Sequence, residues 1–356
     1  MFNLLKINFP LTAILVGLLI CLLNAALTAS LIVLLLPIFR RYALAHPNSR
    51  SSHLIPTPQG GGFAIILVSF TIFLLITYLN IPTTLPQSLH TMLVCSIGLL
   101  ILGGIDDVRP LSAMPRFLIQ CVLITLTLWP MLSAIRIFPD YIPLYFEWFF
   151  IGLALLWMVN LVNFMDGIDL MTVIEMVPIW VVILSYGVLQ RDPFLIVLSL
   201  CLIGALIGFA PFNWPVAKLF LGDIGSLPLG LMSGWVLILF ANDYSITLAL
   251  VPPLYYLSDA SLTLIKRALR REKIWHTHRS HYYQLAVQGG TSVKDVILMI
   301  GICNTCLVSI TWAAIFFRSQ YDARLVDGSA FILAILTVAL LIFNLNRKSQ
   351  LTGYLH

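Results

Sequence analysis

Five polar clusters interrupt an otherwise apolar chain, and each holds residue types that could do chemistry. The first reads His46-Pro47-Asn48-Ser49-Arg50-Ser51-Ser52-His53 and runs on to Gln59-Gly60-Gly61-Gly62. Three glycines let backbone amides approach an anion closely, and Arg50 and His53 would add donors, which describes a phosphate nest. A Pro/Gly turn between two helices suits the same residues equally well. The second cluster, Gly103-Gly104-Ile105-Asp106-Asp107-Val108-Arg109, sets two carboxylates side by side. Their repulsion suits a bound cation, or a raised pKa that leaves one of them ready to accept a proton. Alone, the pair also suits the charged end of a membrane span.

The third cluster, Asn160-Leu161-Val162-Asn163-Phe164-Met165-Asp166-Gly167-Ile168-Asp169, places Asn160, Asn163 and Asp166 on one helical face, and Gly167 offers a break beside Asp166. Amides and carboxylates at this density are costly at a membrane boundary, so a functional role outweighs a helix cap with stray polar residues. The fourth runs Asn213-Trp214-Pro215-Val216-Ala217-Lys218 and ends Gly222-Asp223-Ile224-Gly225-Ser226. Asp223, flanked by small residues, could approach a metal or a diphosphate unobstructed, and with Asp106, Asp107 and Asp166 it supplies hard oxygen donors suited to Mg²⁺. The fifth gathers Lys266, Arg267, Arg270, Arg271, Lys273 and Arg279 with His276, His278 and His281. No cysteine or suitably spaced carboxylate accompanies those histidines, so phosphate or lipid head-group contact is favoured over zinc. Asp259 lies seven residues before Lys266 in an apolar run, a buried carboxylate that calls for a partner on a neighbouring helix.

The elements that must position these clusters are membrane spans. Of 356 residues, 60% are hydrophobic and 10% charged, whereas soluble domains have about 45–50% and 25%. Stretches nearly free of charge predict eleven helices near 11–36, 60–80, 88–105, 113–131, 146–163, 170–189, 194–212, 226–240, 245–265, 294–317 and 328–346. The first run is too long for a signal peptide and stays as a span. All six cysteines fall in apolar runs and are expected as free thiols, Cys303 and Cys306 included. The fold class expected is an all-α polytopic membrane protein, one domain over 1–356, with its active site on the cytoplasmic face.

Orientation follows from the cations. The loops after odd-numbered spans and the C-terminal tail hold most of the 20 lysines and arginines, whereas the other side has Lys6, Arg136, Arg191, Arg318 and Arg324. The richer side is cytoplasmic by the positive-inside rule, and all five clusters lie there. A net charge of +5 without a continuous basic stripe argues against a nucleic-acid partner. A secondary transporter would place its ionisable residues near the midplane, often in repeated halves, and no repeat is evident. A non-catalytic lipid-binding protein would need the basic loop but not the separated aspartates.

From about His46 to Gln284, these clusters taken in order resemble the polyprenyl-phosphate N-acetylhexosamine-1-phosphate transferases of glycosyltransferase family 4. The likeness rests on Asp106-Asp107, on Asn160/Asn163/Asp166-Gly167/Asp169, on Asn213, Lys218, Gly222-Asp223 and Gly225-Ser226, and on the loop of His276, His278 and His281. The first and last loops are most similar to the branch that starts O-antigen synthesis. Gln59 stands where that branch often has Arg, and Arg109 where many members of the peptidoglycan branch have Lys.

The resemblance implies transfer of N-acetylhexosamine-1-phosphate from a UDP-sugar to undecaprenyl phosphate with release of UMP, in the bacterial inner membrane. It implies catalytic roles for Asp106, Asp107 and Asp223, with Asp106 either deprotonating the lipid phosphate or serving as nucleophile in a two-step variant. Mg²⁺, or Mn²⁺ in its place, would be held by Asp223 and Asp166. Substrate contacts fall to Arg50, His53, Asn163, Asp166, Asp169, Asn213, Lys218, His276, His278, Arg279 and His281, with Asp169 and Asn213 on the uracil. The lipid tail would lie in a groove between helices. A homodimer is one arrangement left open, and the choice of sugar is not written in the motifs.

Overall fold

The computed structural model describes residues 11–45, 56–79, 85–132, 134–138, 141–273 and 278–351. Arg50, His53 and His276 lie outside these residues. Helices dominate: α1 (Leu11–Tyr42), α2 (Gly61–Tyr78), α3 (Leu89–Val108), α4 (Ala113–Leu128), α5 (Leu144–Met165), α6 (Met171–Gln190), α7 (Pro193–Asn213), α8 (Asp223–Asp243), α9 (Ile246–Leu250), α10 (Leu254–Leu269), α11 (Tyr282–Gln288), α12 (Val293–Phe317) and α13 (Ala323–Leu351). Among the described residues the only strands are β1 (Leu44–Ala45) and β2 (Thr57–Pro58), which pair antiparallel after α1.

Ten of the expected spans are helices long and apolar enough to cross a bilayer, so the chain is a multi-pass, all-α membrane protein. The ninth, expected unbroken over 245–265, is instead divided into α9 and α10 by Val251-Pro252-Pro253. Neither proline has an N–H to continue the helical ladder. Two boundaries shift in a way that matters for chemistry. The third span runs on to Val108, so Asp106 and Asp107 are helical, and the eighth begins at Asp223 and not near 226.

The core is built around α8, where 89% of the apolar window is buried, against 17% in α1. Lipid gives packing no hydrophobic drive between helices, so small residues at crossings decide the contacts. A Cβ at Gly230 would lie 2.7 Å from Val159 Cα, and one at Gly234 2.6 Å from the Leu155 side chain, so this small-xxx-small pair seats α8 on α5. Gly204 and Gly208 do the same for α7 on α1, where a Cβ would meet the carbonyls of Cys21 and Ala25 at 2.3 Å. All six cysteines are free, as expected.

The end of the bundle away from the five clusters is tied by ion pairs. Glu147 Oε1 accepts from Ile137 N at 2.5 Å and Phe138 N at 3.0 Å, with Arg136 Nε 3.4 Å from Oε2. Asp327 accepts from Ser245 Oγ at 2.6 Å and lies 3.3 Å from Arg318, whose Nη1 donates to Tyr244 O. The start of the broken span is thereby anchored to α12 and α13.

Candidate active site

Three helix ends meet at the site with no room for side chains between them. A Cβ on Gly62, at the start of α2, would lie 2.1 Å from Gly225 Cα in the first turn of α8. One on Gly103 in α3 would lie 2.2 Å from Asp223 O. This contact brings the end of α3 onto the start of α8, and the adjacent carboxylates of Asp106 and Asp107 then part company.

Asp107 turns to the α8 backbone. Its Oδ1 accepts from Asp223 N at 2.9 Å and its Oδ2 from Ile224 N at 3.0 Å, satisfying two of the amides that a helix start leaves open. Gly222 has φ +79°, and a Cβ there would lie 2.5 Å from Asp107 Oδ2, so glycine serves both the backbone conformation and the approach. Gln59 Nε2 donates to the Asp107 carbonyl at 2.7 Å. The residue standing where the O-antigen branch often has Arg therefore braces the aspartate pair.

Asp106 faces the other way. Its Oδ1 accepts from Leu111 N at 2.6 Å and its Oδ2 from Arg116 Nη1 at 2.5 Å. The same Arg116 atom lies 3.3 Å from Asp223 Oδ2, so one guanidinium neutralises part of two carboxylates. Asp223 Oδ1 accepts from Asn163 Nδ2 at 2.6 Å, and that nitrogen also donates to Ser226 Oγ at 3.0 Å. The Asp223 side chain is 26% exposed against 9% for Asp106, so of the two carboxylates that share Arg116 it is the more open to a ligand.

Asp166 ends α5 and accepts from Thr172 Oγ1 at 2.5 Å. Burial pushes its pKa up to about 7 against the opposing Thr172 hydrogen bond, and the charges of Asp107 and Asp169 add to the rise. Asn160, expected on the same face as Asn163 and Asp166, donates to Gln120 Oε1 at 2.8 Å and joins α5 to α4.

Two residues that the resemblance placed on a base are engaged with the backbone here. Asn213 Oδ1 accepts from Leu170 N at 2.7 Å and its Nδ2 donates to Leu219 O at 3.0 Å, while Asp169 Oδ2 accepts from Ala217 N at 3.0 Å. They stitch the 166–170 turn to the 214–222 segment. Asp169 nonetheless lines a cleft of about 800 Å³ with Arg40, Thr57, Lys218 and Lys294. The expected contact residue Lys218 is exposed there.

In the last loop, Arg279 O accepts from Gln288 Nε2 at 2.9 Å, and His278 Nδ1 lies 2.9 Å from Ser280 Oγ. Burial lowers the His278 pKa to about 4, helped by His281 and Arg267, so this imidazole is neutral near pH 7. His281 is buried and lies 3.2 Å from Asp259, so its ring does not face solvent as a phosphate ligand would. Lys266 Nζ donates to Tyr282 Oη. Arg116 is the site residue that sequence reasoning passed over. Its signal was position, one short loop after the aspartate pair in the first turn of a span.

Among the described residues no three His, Cys, Asp or Glu side chains form a metal-holding group. The donor set still fits Mg²⁺, which is commonly bound by one or two carboxylates together with water and substrate phosphate. Asp223 offers a partly exposed carboxylate of that kind.

Residues 89–241 match the family described as glycosyl transferase family 4. The chain is 29% identical over 294 residues to a probable undecaprenyl-phosphate N-acetylglucosaminyl 1-phosphate transferase of Bacillus subtilis, covering 76% of this chain and 78% of that one. It is 27% identical over 339 residues to a decaprenyl-phosphate N-acetylglucosaminephosphotransferase of Mycobacterium tuberculosis, covering 83% and 81%. With a phospho-N-acetylmuramoyl-pentapeptide-transferase of Streptococcus pyogenes it shares 31% over 228 residues, covering 58% and 66%. The chain belongs to glycosyl transferase family 4, among the polyprenyl-phosphate hexosamine-phosphate transferases. It is a membrane phosphotransferase, which sets aside the transporter and the non-catalytic binder.

Proposed function

We propose that the protein transfers N-acetylhexosamine-1-phosphate from a UDP-sugar to undecaprenyl phosphate, releasing UMP, at the cytoplasmic face of a bacterial inner membrane. The observation that carries this reading is the Asp106–Arg116–Asp223–Asn163 constellation at converging helix ends. An oxygen of the lipid phosphate attacks the β-phosphorus, the bond from that phosphorus to the bridging oxygen breaks, and UMP leaves with that oxygen. Chemistry of this kind asks for positioning and charge neutralisation more than for covalent help.

Each side chain has a distinct part in this scheme. Asp223, with Asp166 nearby in the scheme the resemblance implies, would hold Mg²⁺ or Mn²⁺. The metal when bound would neutralise diphosphate charge. Arg116 balances Asp106 and Asp223 before substrate arrives and is the cation free to turn to phosphate afterwards. Asp106 takes a proton from the lipid phosphate where the monoanion binds. Asp107 holds the α8 start in place, and Asn163 fixes the Asp223 rotamer. Lys218, Arg279 and His278 stand at the edges for nucleotide and sugar, with Arg50, His53 and His276 assigned by resemblance.

An apolar cavity of about 330 Å³ lies between α5, α8 and the broken span, lined by Phe150, Ala154, Met158, Leu237, Leu250 and Pro253 among others. Ile137, Phe138 and Glu147 close it at the end of the bundle away from the clusters, so it suits the distal part of a polyprenyl tail lying between helices near the α9–α10 break. The branch resemblance makes O-antigen initiation the pathway proposed. The test is UMP release by purified protein with undecaprenyl phosphate, Mg²⁺ and a panel of UDP-N-acetylhexosamines, alongside Asp223→Asn. Release that needs lipid, metal and Asp223 supports the proposal, and folded protein inert with every sugar overturns it.

A further inference from the structure

The Asp259 carboxylate has no part in the scheme above, yet it is wholly buried and heavily bonded. It accepts from Tyr255 Oη at 3.1 Å and Thr263 Oγ1 at 3.3 Å on its own helix, α10. It also receives Tyr282 N at 3.1 Å and Tyr283 N at 3.4 Å from the first turn of α11, and lies 3.2 Å from His281 Nδ1. A buried carboxylate persists only when its oxygens are satisfied in this way.

These bonds reach the substrate side. The His281 ring stacks on Tyr283 with centroids 5.7 Å apart at 20°, and lies 4.9 Å from the His278 ring. Tyr283 in turn lies against the turn beside Asp166. A Cβ on Gly167 would come 2.2 Å from its hydroxyl and 2.8 Å from Gln284 Nε2. One carboxylate on α10 thus sets the rotation of an imidazole and the seating of α11 against the Asp166–Gly167 turn. A proton on His281 Nδ1 would be shared with Asp259 across this 3.2 Å contact, which is what orients the ring.

We propose that Asp259 is a positioning residue for the transfer reaction, acting through His281 to hold the histidine loop and α11 against the Asp166–Gly167 turn. The inference rests on the reading of that turn as part of the substrate site. Outer partners that orient a functional histidine are commonly worth about 10–100-fold in activity.

The test is a double-mutant cycle on UMP release in detergent. Asp259→Asn and His281→Ala are each expected to lower kcat about tenfold or more, and the double variant is expected to be no slower than the worse single. His281→Asn, which restores a donor at the Nδ1 position, is expected to recover much of the loss. Thr263→Val and Tyr255→Phe remove the other side-chain partners and are expected to keep the wild-type kcat. Hydrogen exchange at Tyr282 and Tyr283 should quicken in Asp259→Asn. Losses that multiply in the double variant, no recovery in His281→Asn, or full kcat in Asp259→Asn would each overturn the inference while wild-type turnover left the proposed function standing. Folded wild-type protein that releases no UMP overturns both. Should Asp259→Asn fail to fold, the comparison of His281→Asn with His281→Ala decides the matter alone.

Discussion

Asp107→Asn should separate two aspartates that the sequence shows as equals. The wild-type carboxylate takes one α8 amide on each oxygen, at 2.9 and 3.0 Å, at the positive end of a 21-residue helix. Asparagine keeps one acceptor and turns an NH₂ toward the second amide. The loss is about one charge-assisted hydrogen bond, 1.5–3 kcal/mol, plus a charge–dipole contribution of about 1 kcal/mol. The melting temperature in detergent should fall by on the order of 5 °C, and turnover should fall because Asp223 is displaced. Asp223→Asn should behave in the opposite sense. It removes a charge lying among Asp106 and Asp107, so the melting temperature should hold or rise, while UMP release drops about 10²-fold or more. The assay is a thermal melt paired with UMP release on the same preparations. A stable, active Asp107→Asn, or an Asp223→Asn that melts early, would refute the division of labour between them.

Arg116→Ala leaves Asp106 and Asp223 without their shared cation and should cut kcat/KM at least about tenfold; Arg116→Lys should recover only part of it, since an ammonium lacks the planar fork. Gly62→Ala drives a methyl into the α8 backbone at Gly225 and should cost about 3 kcal/mol or more, read as lost expression and an early melt. Asp166, with its pKa raised to about 7 by burial, favours the protonated folded state. Its contribution to stability is full below the ordinary carboxylate pKa near 4 and is lost as pH rises through 7. Metal-free protein should therefore soften as pH rises from about 4 to about 7, and Asp166→Asn should flatten that slope in a pH series of melts.

Hydropathy made the bundle legible because ten spans are long apolar runs bounded by charge, and the clusters stood out because polar residues are scarce. The break at Val251-Pro252-Pro253 escaped a reading by hydropathy alone, since prolines are apolar enough to pass as span. The roles of Asp106 and Asp107 escaped it for a different reason. Neighbouring residues on a helix point about 100° apart, and only the placement of α8 against Gly103 decides which carboxylate meets the backbone. Asn213 and Asp169 look like ligands in the sequence because stitching two loops and binding a base call for the same residue types. Arg116 had no motif of its own, and the partners of Asp259 outside its own helix lie over twenty residues away across a polar loop.

The crowding of α2, α3 and α8 at Gly62, Gly103 and Gly225 has a practical consequence for ligand discovery. Asp223 is mounted on the most enclosed of the ten described spans, so whatever grips it cannot tighten one loop and leave the remainder slack. Occupancy should register as stiffening of the entire bundle, because a ligand that binds only the folded form raises its stability in proportion to RT ln(1 + [L]/Kd). A melting shift in detergent, with no lipid acceptor and no turnover, would then suffice to rank sugar nucleotides and metals against one another.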